Sequence, residues 1–229
     1  VTTISSKEQK RLALIQKGEA LFAYERELYQ RGARYVIGID EVGRGALAGP
    51  VTAAAVILGP RWDPSCAPGL DDSKKLSAKR RFELADQLAE CAQSSIAHVD
   101  ANIIDERGIM TALYQAMRLA VEGLETQLGF SLSADDKVLI DGLPIGLFPQ
   151  EEAIVKGDGK IACIAAASIL AKVARDNLMH SAADSHPAYG FDSNKGYGSS
   201  QHQDALAQKG LSQLHRRTFC RNFLQDTLF

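Results

Sequence analysis

Tyr35-Val36-Ile37-Gly38-Ile39-Asp40-Glu41-Val42, then Gly43-Arg44-Gly45-Ala46-Leu47-Ala48-Gly49-Pro50, then Val51-Thr52-Ala53-Ala54-Ala55-Val56-Ile57-Leu58, is the stretch that sets the architecture of this chain. The first run is short, rich in β-branched residues and closed by acids and glycines, which predicts a buried strand over residues 35–40. The last run is apolar and predicts a second strand over residues 51–58. A parallel crossover needs roughly a dozen connecting residues or more, so these two strands are expected to pair antiparallel.

Working outward, residues 7–31 alternate apolar and charged positions at helical spacing. Residues 59–72 are rich in Pro, Gly and Asp and predict a loop. Ser77 is placed to cap a helix whose apolar positions are Leu84, Ala85 and Leu88. A third strand is expected over residues 94–99, a helix over 109–128, a strand over 137–141 and a short strand over 153–155. A long helix over 161–182 follows, with an alanine-rich early face that lets it lie close against a sheet. After Gly196 the pattern predicts two short helices, residues 200–208 and 214–225. Antiparallel strands first and helix-connected strands later make this an α/β chain, a mixed five-stranded sheet with helices on its faces. It divides into an N-terminal helical segment (1–34), a main domain (35–195) and a helical C-terminal extension (196–229).

The bulk numbers exclude some classes. With 45% hydrophobic and 24% charged residues over 229 positions, the chain is globular. No apolar run approaches the roughly 20 residues of a membrane helix, and the N-terminal sequence VTTISSKEQKRL is too polar for a signal peptide. Cys66, Cys91, Cys163 and Cys220 lack metal or redox spacing and read as reduced thiols, so a cytoplasmic protein is expected, with a monomer as the default. A net charge of −2 does not advertise a nucleic-acid binder. Its distribution is more informative, because residues 73–81 and 209–222 contain bases and no acid.

Asp40 and Glu41 end an apolar strand, where ionised carboxylates are costly unless compensated. Strand side chains alternate between faces, so both acids reach one point only if the backbone turns there, as the following glycines allow. The pattern recurs where Val138-Leu139-Ile140 runs into Asp141-Gly142 and Ile154-Val155-Lys156-Gly157 into Asp158-Gly159. Two arrangements account for it: acids scattered at loop starts, or a carboxylate cluster at one sheet edge. A cluster favours a divalent cation, and oxygen-only ligands suit Mg²⁺ or Mn²⁺ rather than zinc. Two such ions about 4 Å apart would activate water and stabilise the leaving oxygen in phosphodiester hydrolysis. A nucleotide-binding loop at residues 43–49 fits less well. Its third glycine is one residue late for the dinucleotide fingerprint, no Lys-Ser/Thr follows, and a strand rather than a helix comes next.

The blocks Ile39-Asp40-Glu41-Val42-Gly43-Arg44-Gly45, Ala48-Gly49-Pro50-Val51, Leu70-Asp71-Asp72-Ser73-Lys74-Lys75-Leu76, Ile140-Asp141-Gly142 and Lys156-Gly157-Asp158 together resemble the type 2 ribonuclease H (RNase HII) family. Ile164-Ala165-Ala166-Ala167-Ser168-Ile169-Leu170-Ala171-Lys172-Val173, Lys195-Gly196-Tyr197-Gly198 and His215-Arg216-Arg217 continue it in family order. The resemblance implies an RNase H-like fold whose C-terminal extension binds substrate. It maps the catalytic, metal-holding acids onto Asp40, Glu41, Asp141 and Asp158. Arg44 with the backbone of Gly43 and Gly45 would read the ribose 2′-hydroxyl, which separates RNA from DNA. Tyr197 would stack under the sugar of the neighbouring deoxynucleotide. Ser73, Lys74, Lys75, Arg216 and Arg217 would contact the nucleic-acid backbone, giving salt-dependent affinity. Lys172, Arg175 and Asp176 read instead as structural ion pairing. The type 3 relative differs in its glycine loop and usually adds an N-terminal domain, for which the roughly 35 residues before the first strand leave little room. Thr52, where Val is common, and the lack of a proline in Leu211-Ser212-Gln213-Leu214 are the departures from the family pattern.

The implied activity is hydrolysis of RNA in RNA–DNA hybrids and cutting 5′ of the RNA–DNA junction at ribonucleotides embedded in duplex DNA, as in ribonucleotide repair. Water would attack the phosphorus 3′ to a ribonucleotide, using two Mg²⁺ or Mn²⁺ ions and leaving 5′-phosphate and 3′-hydroxyl ends. The alternatives are a silent hybrid-binding module, which the four acids argue against, and a phosphatase for small nucleotides, which gives Tyr197 and the basic tail no purpose. The tail Gln225-Asp226-Thr227-Leu228-Phe229 offers either a sliding-clamp contact or a plain apolar end.

Overall fold

A computed structural model describes residues 5–224 of the chain. Helix α1 (Ser6–Gln30) starts where the Ser5 hydroxyl accepts the Glu8 N–H. Strands β1 (Val36–Val42) and β2 (Val51–Ile57) pair antiparallel, with Asp40 opposite Ala54. Helix α2 (Ala78–Cys91) is capped by Ser77, and β3 (Gln93–Val99) adds antiparallel to β2. Helices α3 (Ala101–Arg107) and α4 (Ile109–Leu128) share Gly108, whose φ of +80° breaks them apart. Strands β4 (Lys137–Asp141) and β5 (Glu151–Ile154) are parallel to β1, giving the order β3-β2-β1-β4-β5. Then come α5 (Ala162–Ser185), α6 (Phe191–Asn194), α7 (Ser200–Lys209) and α8 (Arg221–Leu224).

The mixed five-stranded sheet is thus as expected, with strand ends moved by a residue or two. The sheet separates two apolar layers. Val36, Ala54, Val56 and Leu139 face α5, α1 and α2, whereas Ile37, Ile39, Ala53, Ala55 and Ile140 face α4. The alanines of α5 do what their size suggests: Ala162, Ala165, Ala166 and Ala167 are fully buried, and the helix lies against Gly38 of β1. A Cβ on Gly38 would stand 2.6 Å from the Ile164 nitrogen, inside backbone rather than a movable side chain. Helix α1 belongs to the core, contributing Leu21, Phe22 and Leu28. A third cluster joins Met179 of α5 to Tyr189, Phe191, Ala205, Leu206 and Cys220, fastening the extension to the sheet domain.

Helices α3 and α6 have no counterpart among the expected elements, and one expectation needs correction. The helix expected over residues 214–225 is absent from 214–220, where the chain forms turns and an antiparallel bridge of His215 with Ala48; among the described residues it is helical only over Arg221–Leu224. The reason lies in where the backbone groups bond. The Leu214 carbonyl accepts from Gly49 and the Arg216 N–H donates to Leu47, so neither is free for a helical ladder.

Gly38→Ala is expected to lower stability by ~2 kcal/mol or more through overpacking of α5 on β1. A urea midpoint that falls with an unchanged m-value would show it; an unchanged midpoint would mean that α5 yields.

Candidate active site

Asp40 near the end of β1, Asp141 at the end of β4 and Asp158 in the turn after β5 meet at the same end of neighbouring strands. Asp40, Asp141 and Asp158 each offer a carboxylate oxygen within 4.8 Å of the others. Asp40 is 5% exposed and Asp158 is 4% exposed. Register explains the meeting, because β1 and β4 are hydrogen-bonded neighbours and β4 in turn holds β5. Asp141 accepts the Gly157 N–H at 2.6 Å, which draws the turn carrying Asp158 over the strand ends. That turn requires Lys156 in the left-handed region at φ 56°.

Glu41 is not one of the three acids that gather within 4.8 Å. It follows Asp40 in β1, which stays paired with β2 through Val42, and it lines the cleft beside Asp40. Its carboxylate still feels the site: burial and the charge of Asp141 push its pKa up, offset by Arg44. Burial, then the charges of Glu41 and Asp141, push Asp40 up to about 8 against the bonds from Ser168 and its own neighbour's N–H. Asp141 is raised as well, chiefly by burial. Acids so crowded favour protons or a cation, and a cation is present in the form of the Lys74 ammonium, 2.6 Å from Asp158. Burial opposes charge on Lys74, but Asp158, Asp72 and Asp40 outweigh it and raise its pKa. A hard divalent cation fits this oxygen-only set.

Beside the triad opens a cleft of about 250 Å³ that brings Asp40 and Glu41 together with Ser73, Lys74 and Tyr197. It also holds Arg81, Ser168 and Lys172, which the sequence reading left out of the site. Ser168 bonds Ser73 hydroxyl to hydroxyl at 2.8 Å, and Arg81 binds the carbonyls of Ser73 and Leu76, fixing the turn that presents Lys74. Lys172 does pair with Asp176 as expected, yet its ammonium also lies 5.9 Å from the centre of the Tyr197 ring. Lys75 is exposed beside Asp71.

Two arginines correct the sequence reading. Arg175 makes no ion pair among the described residues; it is fully buried and donates to the carbonyls of Pro50 (2.9 Å), Ala48 (2.9 Å) and Lys195 (2.8 Å). Arg216, expected to meet the nucleic-acid backbone, is also fully buried and donates to Gly49 and Arg44 carbonyls, both at 3.0 Å. A guanidinium closed off from solvent cannot meet a phosphate, so its role is to hold the loop that carries Arg44. Arg44, Gly45 and Arg217 remain exposed. Gly43, at φ +88°, has the Arg175 guanidinium where a Cβ would stand, whereas nothing lies near the corresponding point on Gly45. Lys195, the other left-handed non-glycine residue at φ 53° among those described, precedes Gly196-Tyr197 just as Lys156 precedes Gly157-Asp158.

A mixed sheet of this order, with carboxylates gathered where β1 and β4 end and a helix packed across β1, defines the RNase H-like class. Solved structures agree: the chain covers 98% of the RNase HII in the PCNA:RNase HII complex from Archaeoglobus fulgidus at a TM-score of 0.66 and 24% identity, with 84% of this chain aligned. It covers 72% of Bst-RNase HIII in complex with Mn²⁺ at a TM-score of 0.70 and 18% identity, with 88% of this chain aligned. The fold therefore accommodates both types, and sequence separates them. A family model described as Ribonuclease HII matches residues 37–222, and the Ribonuclease HII of Roseobacter denitrificans is 48% identical over 190 residues, which are 82% of this chain and 91% of the relative. The chain belongs to the ribonuclease HII family.

With its pKa raised to about 8, Asp40 keeps a proton in the folded, ion-free protein that the unfolded chain has released. The ion-free protein should therefore lose stability as pH rises from the ordinary carboxylate range through about 8. A cation needs the ionised acid, so its binding tightens across the same window. At a fixed Mg²⁺ or Mn²⁺ concentration the gain in Tm is expected to be larger at pH 8.5 than at pH 6. The difference should shrink in Asp40→Asn; equal gains at both pH values would count against this assignment.

Proposed function

We propose that this chain is an endoribonuclease that hydrolyses the RNA strand of RNA–DNA hybrids and cuts on the 5′ side of the RNA–DNA junction at ribonucleotides embedded in duplex DNA. The observation that carries the reading is the convergence of Asp40, Asp141 and Asp158 within 4.8 Å beside a cleft shared with Tyr197. Asp40 and Asp141 would hold a pair of divalent cations, and Glu41 and Asp158 would complete the set. Mg²⁺ or Mn²⁺ bound there would supply the Lewis acidity that activates water and stabilises the leaving oxygen; the Mn²⁺ in the Bst-RNase HIII neighbour supports that choice.

The chain's own groups do the rest. Water adds to phosphorus while the bond to the 3′-oxygen breaks and that oxygen takes up a proton, leaving a 3′-hydroxyl and a 5′-phosphate. Lys74, with a side chain 74% exposed, is free to exchange Asp158 for a phosphate oxygen in the loaded complex. Lys75 and Arg217 offer further phosphate contacts from exposed positions.

Arg44 with the backbone of Gly43 and Gly45 reads the 2′-hydroxyl, and Tyr197 stacks on the sugar beyond it. The open space around Gly45 supports this, because packing gives no reason for a glycine there and a close-approaching ligand does. A sliding clamp is a further candidate partner. It is supported by the archaeal neighbour solved with PCNA, although the tail that would carry the contact, residues 225–229, lies outside the described residues.

Asp40→Asn and Asp141→Asn should each abolish cleavage of a duplex carrying one ribonucleotide while retaining most hybrid affinity, and EDTA should mimic them; full activity in either variant would sink the assignment. The glycines should separate cleanly. Gly45→Ala is expected to change stability by less than ~0.5 kcal/mol yet slow cleavage about tenfold. Gly43→Ala should instead lower stability by ~2 kcal/mol through its left-handed φ and the displaced Arg175. Calorimetry beside a cleavage assay reads both.

A further inference from the structure

His202 and His215 are buried in the extension, and the reaction as described gives them nothing to do. Their Nε2 atoms lie 3.0 Å apart. His202 Nδ1 is 2.9 Å from the Tyr197 carbonyl; the Ser212 N–H donates to His215 Nδ1 at 2.9 Å, and the Ser212 hydroxyl, free to turn its own hydrogen that way, lies 2.8 Å from the same nitrogen. Each end of this chain fixes a proton. A carbonyl only accepts, so His202 Nδ1 carries a hydrogen and donates it; a main-chain N–H only donates, so His215 Nδ1 is bare. In two neutral rings His202 Nε2 is then bare and His215 Nε2 protonated, and the middle bond closes. Donation runs from Ser212 to His215 to His202 to Tyr197 with no ring nitrogen unpaired.

A proton added to either ring would set N–H against N–H. Burial holds both imidazoles below the ordinary histidine range, helped at His215 by the charge of His202 and His186. Tyr189 and Phe191 wall the pair, with ring centres 4.7 and 5.6 Å from His215, and no carboxylate bonds either ring among the described residues. At its far end the Tyr197 carbonyl also accepts the Ser199 N–H, and the Tyr197 ring lies 5.3 Å from the Arg175 guanidinium. The phenol is thus held from above its ring and from behind its carbonyl.

We propose that His202 is a positioning residue for the reaction: its Nδ1–H fixes the carbonyl of Tyr197 and so sets the angle at which the Tyr197 ring meets the sugar at an RNA–DNA junction. The proposal rests on the reading of Tyr197 as the sugar-stacking residue. A role confined to filling the extension's core predicts something different, because the two ring nitrogens can be tested apart. An Asn amide stands two bonds beyond Cβ, where Nδ1 stands, and a Gln amide stands one bond farther, where Nε2 stands. His202→Asn thus keeps the donor to Tyr197, and His202→Gln keeps only the partner of His215.

The measurement is the ratio of cleavage rates on a duplex with one embedded ribonucleotide and on a long hybrid, taken with Tm for the full chain and each variant. Tyr197→Ala is expected to lower the ratio about tenfold, His202→Gln to fall close to it, and His202→Asn to stay within about threefold of the unaltered enzyme. A ratio that follows Tm in both His202 variants, or moves in neither, overturns the positioning role. An unchanged ratio in Tyr197→Ala overturns the reading of Tyr197 itself, whatever the histidine variants do. Should the variants not fold, imidazole ¹⁵N shifts of the unaltered chain decide: the expected tautomers are Nδ1–H at His202 and Nε2–H at His215, and the reverse pair defeats the proposal.

Discussion

Two buried guanidinium groups bonded to main-chain carbonyls hold the catalytic face of this molecule together. Arg175 and Arg216 take five carbonyls between them, from Arg44, Ala48, Gly49, Pro50 and Lys195. Burying an unpaired charge costs several kcal/mol unless hydrogen bonds replace the lost water. Here every nitrogen of Arg175 finds a carbonyl, while Arg216 Nη2 has no partner among the described residues. Burial depresses both pKa values, and at Arg216 the neighbouring Arg175 adds to it. Carbonyls satisfy the donors and leave the charge standing. Two positive charges therefore lie under the glycine loop, where a carboxylate partner would have cancelled them.

That arrangement ties three distant segments into one. The glycine loop bonds to Gly196 through Leu47 and Ala48, and to Leu214 and Arg216 through Gly49 and Leu47. Moving any of the three would orphan several buried polar groups at once. The carboxylates opposite are held with less comfort. Asp40, Glu41 and Asp141 are all pushed up, chiefly by burial, and Lys74 stands among them as the compensating charge. Strained backbone appears at Lys156 and Lys195, each two residues before a site side chain, which is where over-determined surroundings can hold it.

How much of this was legible follows from the range of the forces involved. The strands, their mixed sheet and the small face of α5 are legible in residue type and spacing, because burial on a sheet selects apolar side chains locally; the strand order is not. The triad was visible as three acids after three apolar runs, although spacing alone left scattered acids as an equal reading. Glu41 is not among the three acids whose oxygens gather within 4.8 Å, and such distances cannot be read from a strand pattern. Arg216 looked like a phosphate contact because sequence shows charge and not burial. Arg175 reads in sequence as part of an ion pair because Asp176 sits beside it, while its true partners lie 20 or more positions away. His202 gave no signal: its meaning depends on which atom faces which nitrogen.

The N-terminal helix shows how far the site's support extends. Glu25 of α1 is buried, and its carboxylate accepts the N–H groups of Ala162 and Cys163 at the start of α5. Two free donors and the positive end of a helix dipole meet there, which favours the ionised acid. Burial works against it and pushes the pKa up to about 7. The turn that carries Asp158 ends immediately before this helix, and Ile161 and Lys160 both bond back to the Gly157 carbonyl. Fixing the first turn of α5 therefore fixes the platform from which Asp158 reaches Asp40 and Asp141. A helix that reads in sequence as a mere lead-in thus bears on the carboxylate triad through one carboxylate, without approaching it.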